Sequence, residues 1–135
     1  MIVDASVILN AIQFPSGRAA EAIGRFELNA PELLDVEILH ALRGKVEIRR
    51  EISAEAGELA LQRLGQLPIH RHRHSLLLSR VWELRHNVTA YDAIYVALAE
   101  KLELPLVTGD LRLAKASGPR CEFCLIEDED QGAND

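Results

Sequence analysis

The chain has 135 residues, with 21 Asp and Glu against 15 Lys and Arg, for a formal net charge of −6. Hydrophobic residues make up 48 % and aromatics only 4 %, so one domain with a Leu, Ile, Val and Ala core is expected, and a module that grips single strands with many stacked rings is disfavoured. No run approaches the roughly 18 apolar residues that span a bilayer, and the apolar start breaks at Asp4 without the basic flank of a signal peptide, so a cytoplasmic protein is expected.

MIVD reads as a short strand. Residues 15–29, PSGRAAEAIGRFELN, place Ala19, Ala22, Ile23 and Phe26 at helical spacing. Ala30 and Pro31 break that helix and leave room for a very short strand. From 32 to about 50, apolar residues at 34, 38, 39, 42 and 46 predict a second helix. Ser53 resembles an N-cap for a third, which runs to 66 with Leu59, Leu61 and Leu64.

Pro68 and Ile69 open a strand through HRHRH, and Ser75 resembles the N-cap of LLLSRVWELRHN. Thr89 caps AYDAIYVALAEKLE, whose Ile94, Ala97 and Leu98 share a face. PLVTGD is an apolar strand closing on Thr-Gly-Asp, LRLAKA a brief helix, and CEFCLI a final strand. Short apolar strands alternating with helices predict an α/β fold with a mostly parallel sheet covered on both faces.

The domain is expected over 1–126, followed by an acidic, solvated tail over 127–135. That tail, EDEDQGAND, holds five acids and no Lys or Arg; without it the body has 16 acids and 15 bases. Cys121 and Cys124 form a single C-x-x-C with no second pair, a weak zinc signal. Residues three apart on a strand face opposite sides, so both are expected as packing residues with reduced thiols.

MIVD and PLVTGD share a form: an apolar strand that leads to an Asp. If the strands are parallel neighbours, Asp4 and Asp110 stand over the same edge, where ligands gather in such sheets. Asp92, three residues past Thr89, fits a capping box equally well. Glu37 lies beside the buried stripe of its helix, and alone reads as a residue at the edge of that stripe. If all four converge, two charges about 4 Å apart repel by roughly 4 kcal/mol at an effective dielectric near 20. Such a cluster calls for a cation. Carboxylate oxygens select hard ions, Mg²⁺ or Mn²⁺, which points to metal-assisted phosphodiester hydrolysis.

In order and spacing, MIVDASVILN, the Glu37 helix, TAYDAIYVALAEKL and LVTGDLRLA resemble the PIN-domain ribonucleases, above all the toxin half of VapBC toxin–antitoxin pairs. The resemblance covers the chain up to the acidic tail. It implies a PIN-like three-layer α/β/α fold with a sheet of about five strands, and an acidic pocket for Mg²⁺, with Mn²⁺ as a substitute. The activity it implies is endonucleolytic RNA cleavage that inhibits translation by cutting tRNA, rRNA or mRNA, leaving 5′-phosphate and 3′-hydroxyl ends.

The family's acidic positions fall on Asp4, Glu37, Asp92 and Asp110, with Asp4, Asp92 and Asp110 as metal ligands and Glu37 orienting a water or a second ion. Ser6 and Thr108 match supporting hydroxyls. A homodimer and a VapB-like antitoxin that covers the pocket are also implied. The alternative is a catalytically silent PIN-fold module that binds RNA or protein.

Candidate RNA contacts are Arg43, Lys45, Arg49 and Arg50 at the end of the Glu37 helix, where the helix dipole by itself also favours cations, and above all Arg112, just past Asp110. In PIHRHRHS, His70, His72 and His74 alternate to one side of a strand, open to a ligand, partner-contact or surface role. An Asp after the first strand also occurs in haloacid-type phosphatases, but these carry D-x-D where this chain has D-A-S.

Overall fold

Five short strands form one sheet in the computed structural model, which describes residues 1–127. They are β1 (Ile2–Val3), β2 (Leu28–Pro31), β3 (Ile69–His72), β4 (Leu106–Thr108) and β5 (Phe123–Leu125). All neighbours pair in parallel, in the order β3-β2-β1-β4-β5. Apart from Glu127, the expected acidic tail lies outside the described residues.

Parallel strands need crossovers, and helices supply each one. Between β1 and β2 lie α1 (Ala5–Gln13) and α2 (Arg18–Ile23); between β2 and β3, α3 (Leu33–Arg43) and α4 (Ala54–Gln66). Then come α5 (Leu78–Glu83), α6 (Ala90–Leu102) and, before β5, α7 (Leu111–Ala114). The helices cover the sheet on both faces. Among the described residues, no helix is long and apolar enough to cross a membrane.

The central strands carry the core: Ile2, Val3, Leu106 and Val107 are essentially inaccessible. The outer strands each pair on one side only, and their sequences, IHRH and FCL, leave His70, Arg71, Cys124 and Leu125 exposed. Cys124 therefore does not pack. Cys121 is half-buried, and burial pushes its thiol up to about 11, away from reactivity.

Helix boundaries show where periodicity was insufficient. The run from Ala5 to Gln13 follows Asp4 directly as a helix, α1, where the pattern marks only the strand before it. The helix expected over 15–29 contracts to Arg18–Ile23, and Phe26 lies outside it and exposed. In α3 the buried stripe is Leu34, Ile38 and Leu42, without Leu39; the helix then widens into a π-type turn at Gly44–Ile48. Ser53 does cap α4, accepting from the Ala56 N–H, but that helix buries Ala60 and Leu64 while Leu59 and Leu61 face out.

Ser75 caps nothing, since α5 begins at Leu78 behind Leu77, without a side-chain cap. Helix α6 is buried all round from Ala93 to Ala99, more than the single expected face, because it lies deep in the molecule.

From β1 the chain moves outward through β2 and β3, then returns to β4 on the other side of β1 and continues to β5. The strand order thus reverses between β1 and β4. A crevice opens at the carboxyl ends of such a pair, and the residues that follow β1 and β4 are Asp4 and the Thr108-Gly109-Asp110 corner.

Candidate active site

Asp4 terminates β1 and caps α1. Its backbone N–H still belongs to the sheet, donating to the Val107 carbonyl at 3.1 Å, while its Oδ1 accepts the Val7 N–H at 3.2 Å. Two hydroxyls hold the same carboxylate. Ser6 Oγ donates to Oδ1 at 2.6 Å, and Thr108 Oγ1 donates to Oδ2 across the β1–β4 seam.

Both hydroxyls then accept from the Thr108-Gly109-Asp110 loop. Ser6 Oγ accepts the Gly109 N–H at 3.2 Å, and Thr108 Oγ1 accepts the Asp110 N–H at 3.0 Å. D-A-S and T-G-D, over a hundred residues apart, thus lock together as one corner. Thr108 is fully buried and Asp4 is 8 % exposed.

The other acids approach on helices. Asp110 caps α7, its Oδ1 accepting from Arg112 N (2.9 Å) and Leu113 N (3.2 Å). Asp92 lies in the first turn of α6, where its N–H donates to Thr89 Oγ1 at 3.2 Å. The capping reading of T-A-Y-D therefore holds alongside any role for the carboxylate. Glu37, on α3, accepts at Oε1 from the Tyr95 hydroxyl on α6, at 2.7 Å.

Electrostatics ties the set together. Burial, foremost, raises the Asp4 carboxyl; hydrogen bonds from Ser6, Thr108 and Val7 oppose it, and the Asp92 charge adds to it. Burial likewise raises Glu37, with help from the charges of Asp92 and Asp4 against the Tyr95 hydrogen bond. Asp92 is raised by burial and then by the Asp110 charge, while Thr89 and Arg112 pull the other way. The phenol of Tyr95, only 2 % exposed, is pushed well above its usual range by burial and by Glu37.

The described ion pairs Arg71–Asp35, Arg80–Glu100, Arg80–Glu83 and Arg49–Glu51 engage other acids. Among the described residues, no three of His, Cys, Asp and Glu stand close enough to make a ready-formed ion cage. The arrangement is a loose rim of oxygen donors around a fixed Asp4. It fits an ion such as Mg²⁺, which keeps several waters and takes further oxygens from a phosphate.

Sequence patterns did not reveal Tyr95. The available signal was a tyrosine within an otherwise apolar helix, since a buried phenol requires a partner. Arg43, Lys45, Arg49 and Arg50 run down α3 and its terminal turn, away from the first turns where the acids gather; Lys45 and Arg49 pair with Glu51 instead. Arg112 is exposed beside the site, close enough for its charge to act on Asp92.

Of the three alternating histidines, His70 is exposed, His72 Nε2 meets Asn29 Oδ1 at 2.9 Å, and His74 Nε2 accepts the Leu33 N–H at 3.1 Å.

Known proteins match the chain along most of its length. The model of the PIN domain matches residues 1–119. Ribonuclease VapC1 of Mycobacterium tuberculosis is 47 % identical over 132 residues, covering 93 % of this chain and 96 % of that protein. VapC ribonuclease Mb0985 of Mycobacterium bovis is 40 % identical over 126 residues, covering 93 % and 98 %.

In three dimensions, the fold matches the crystal structure of PAE2754 from Pyrobaculum aerophilum, with a TM-score of 0.64 at 23 % identity, covering 90 % of this chain and 81 % of that one. With a family model spanning most of its length and such relatives, this chain belongs to the PIN-domain family, among the VapC ribonucleases.

Proposed function

We propose that the chain is the toxin of a type II toxin–antitoxin pair, an endoribonuclease that uses Mg²⁺ or Mn²⁺ to cut RNA and stop translation. The observation that carries this reading is the coupling of Asp4, Glu37, Asp92 and Asp110 at the switch point. Asp4, Glu37 and Asp92, all raised by burial and then by neighbouring carboxylate charge, Asp110 acting on Asp92, form a site prepared for positive charge and phosphate. Nothing in this arrangement favours a silent binding module.

Asp4 and Asp92 would hold the ion directly, and Asp110 directly or through water. An ion bound there supplies charge neutralisation at the phosphate and makes a water more acidic. The protein's own part is positioning. Ser6 and Thr108 fix both oxygens of Asp4. Glu37, steered by Tyr95, orients the attacking water and takes its proton. As the water oxygen bonds to phosphorus, the bond from phosphorus to the 3′ oxygen breaks. A proton from solvent completes the 3′-hydroxyl, and the other fragment keeps a 5′-phosphate. Arg112 is the phosphate contact nearest the reacting group.

Exposed apolar side chains suit the expected partners, a second copy and a VapB-like antitoxin. Leu76, Leu78 and Trp82 are all more than half exposed. A groove of about 420 Å³ between α1, α2 and α4, lined by Ile12, Ile23, Phe26 and Leu67 among others, could receive an antitoxin segment.

The reading is tested by incubating the purified chain with total cellular RNA. Discrete cleavage products are expected with Mg²⁺ or Mn²⁺ and none with EDTA. RNA left intact under every condition, with ion and substrate in excess, would sink it. Tyr95→Phe should lower the cleavage rate about ten- to hundredfold, the range for groups that orient active residues. KM should stay near the wild-type value, because the phenol holds Glu37 and not the substrate. A rate within twofold of wild type would remove Tyr95 from the machinery.

A further inference from the structure

The run PIHRHRHS has no part in the chemistry above, yet Arg71, His72 and His74 are all engaged. Arg71 forks onto Asp35, Nε to Oδ2 at 2.7 Å and Nη2 to Oδ1 at 2.8 Å. His72 meets Asn29 on β2, His74 accepts from Leu33 N, and the His72 carbonyl accepts the Glu32 N–H at 2.9 Å. These bonds fasten β3 and the residues after it to β2 and to the first turn of α3, the helix that carries Glu37. Arg73 lies between the two fastened histidines. It is exposed, and among the described residues it has no hydrogen-bond or ion-pair partner.

Its position is informative. Arg73 directly follows β3, so it stands at the carboxyl edge of the sheet, the edge that bears the acids. Counting along β3-β2-β1-β4, Asp4 follows the strand two places away and Arg112 lies just beyond the strand three places away. At about 4.8 Å per strand, three places span about 14 Å. Two exposed arginines thus flank the acidic crevice. Arg73 rises from backbone already held on both sides, which lowers the entropic cost of using it.

We propose that RNA crosses the carboxyl edge of the sheet at right angles to the strands, as a single strand whose backbone is gripped by Arg73 on one side of the acids and by Arg112 on the other. A span of about 14 Å holds roughly four nucleotides at about 3.4 Å of stacked rise each. Asp4 lies nearly buried at the floor between the grips, where an unpaired strand can lower a phosphate and a broad duplex cannot. Arginine suits the task because its planar fork matches phosphate and keeps its charge. This track rests on the nuclease reading and adds to it a direction across the sheet and a phosphate contact at Arg73.

The experiment measures binding of a fluorescent, mixed-sequence single-stranded oligoribonucleotide to the full chain by anisotropy, with Mg²⁺ and in a Glu37→Gln background that leaves the RNA uncut. Arg73→Ala should raise Kd about fivefold near physiological salt. It should also reduce the slope of log K against log salt by about 0.7, one phosphate contact on a single strand. Arg73→Lys should restore the slope. Lys101→Ala, in the last turn of α6, should change neither quantity.

An unchanged Kd and slope in Arg73→Ala overturns the track, as does an equal loss in Lys101→Ala, which would mean a diffuse field. The two readings fail separately. A wild-type chain that leaves all RNA intact sinks the nuclease reading, whereas a wild-type chain that cuts RNA, beside an Arg73→Ala chain with unchanged binding, sinks the track alone.

Discussion

Asp4→Asn should reduce RNA cleavage at least about hundredfold while the chain stays folded. The substitution changes the charge and almost nothing else. Asparagine is as good an N-cap as aspartate, so the bond from Val7 N that starts α1 survives at a cost of a few tenths of a kcal/mol. The hydroxyls of Ser6 and Thr108 can rotate to meet an amide as well as a carboxylate. What is lost is the negative charge at the floor of the crevice, with its capacity to hold a divalent ion. Cleavage of total RNA and a thermal melt, run side by side, separate the two effects. Cleavage within threefold of wild type would show that the ion is held without Asp4.

In EDTA, the melting temperature should rise as pH is lowered from about 8 toward 5, opposite to a protein whose carboxylates are salt-bridged. Asp4, Glu37 and Asp92 all have raised folded-state pKa values, chiefly from burial. The folded chain therefore binds these protons more tightly than the unfolded chain does. Folding gains stability as pH falls toward the raised values, and loses it as pH rises through them and the groups charge.

Glu100 works the other way. Burial alone would raise it, but hydrogen bonds from Arg80 and from Arg120 N outweigh that and lower it. Its contribution is lost only as pH falls below the ordinary carboxylate range. Mg²⁺ should reverse the trend, stabilising most where the site is fully charged, by about 2.7 kcal/mol at a hundred times its Kd. Asp4→Asn should flatten both responses. A melting temperature that rises with pH in EDTA and ignores Mg²⁺ would contradict the coupled acidic site.

Much of this site was legible because its signals are short and local. An apolar strand leading to Asp4, and another leading through Thr108 to Asp110, identify the carboxyl edge by period and polarity alone, and β1 and β4 do pair. Thr89 reads as a cap from its hydroxyl and the helix behind it. Glu37 was harder, since its environment is made by Tyr95, 58 residues away. No local pattern encodes that meeting. The clamp from Arg71 and His74 onto α3 was hidden for the same reason: a run that alternates like a metal-binding face is resolved only when Asp35 and Leu33 are brought beside it.

Helix α1 escaped the pattern because SVILNAI is nearly all apolar, and such a run has no face to reveal. The missed cap at Ser75 shows the reverse error, a good cap residue in a turn with no helix immediately after it.

The corner joining Asp4 to Thr108 also bears on synthesis. Ribosomes deliver the first aspartate early, but its hydroxyl partner and the Gly109 amide emerge more than a hundred residues later. The central strand β1 has to wait for β4 before its second neighbour exists. A nascent chain, or one cut short before β4, carries Asp4 with Ser6 and Val7 beside it but without the Thr108 hydroxyl and the Val107 carbonyl that hold it across the seam. A ribonuclease of this topology is thus incomplete at its acidic corner until β4 has been made.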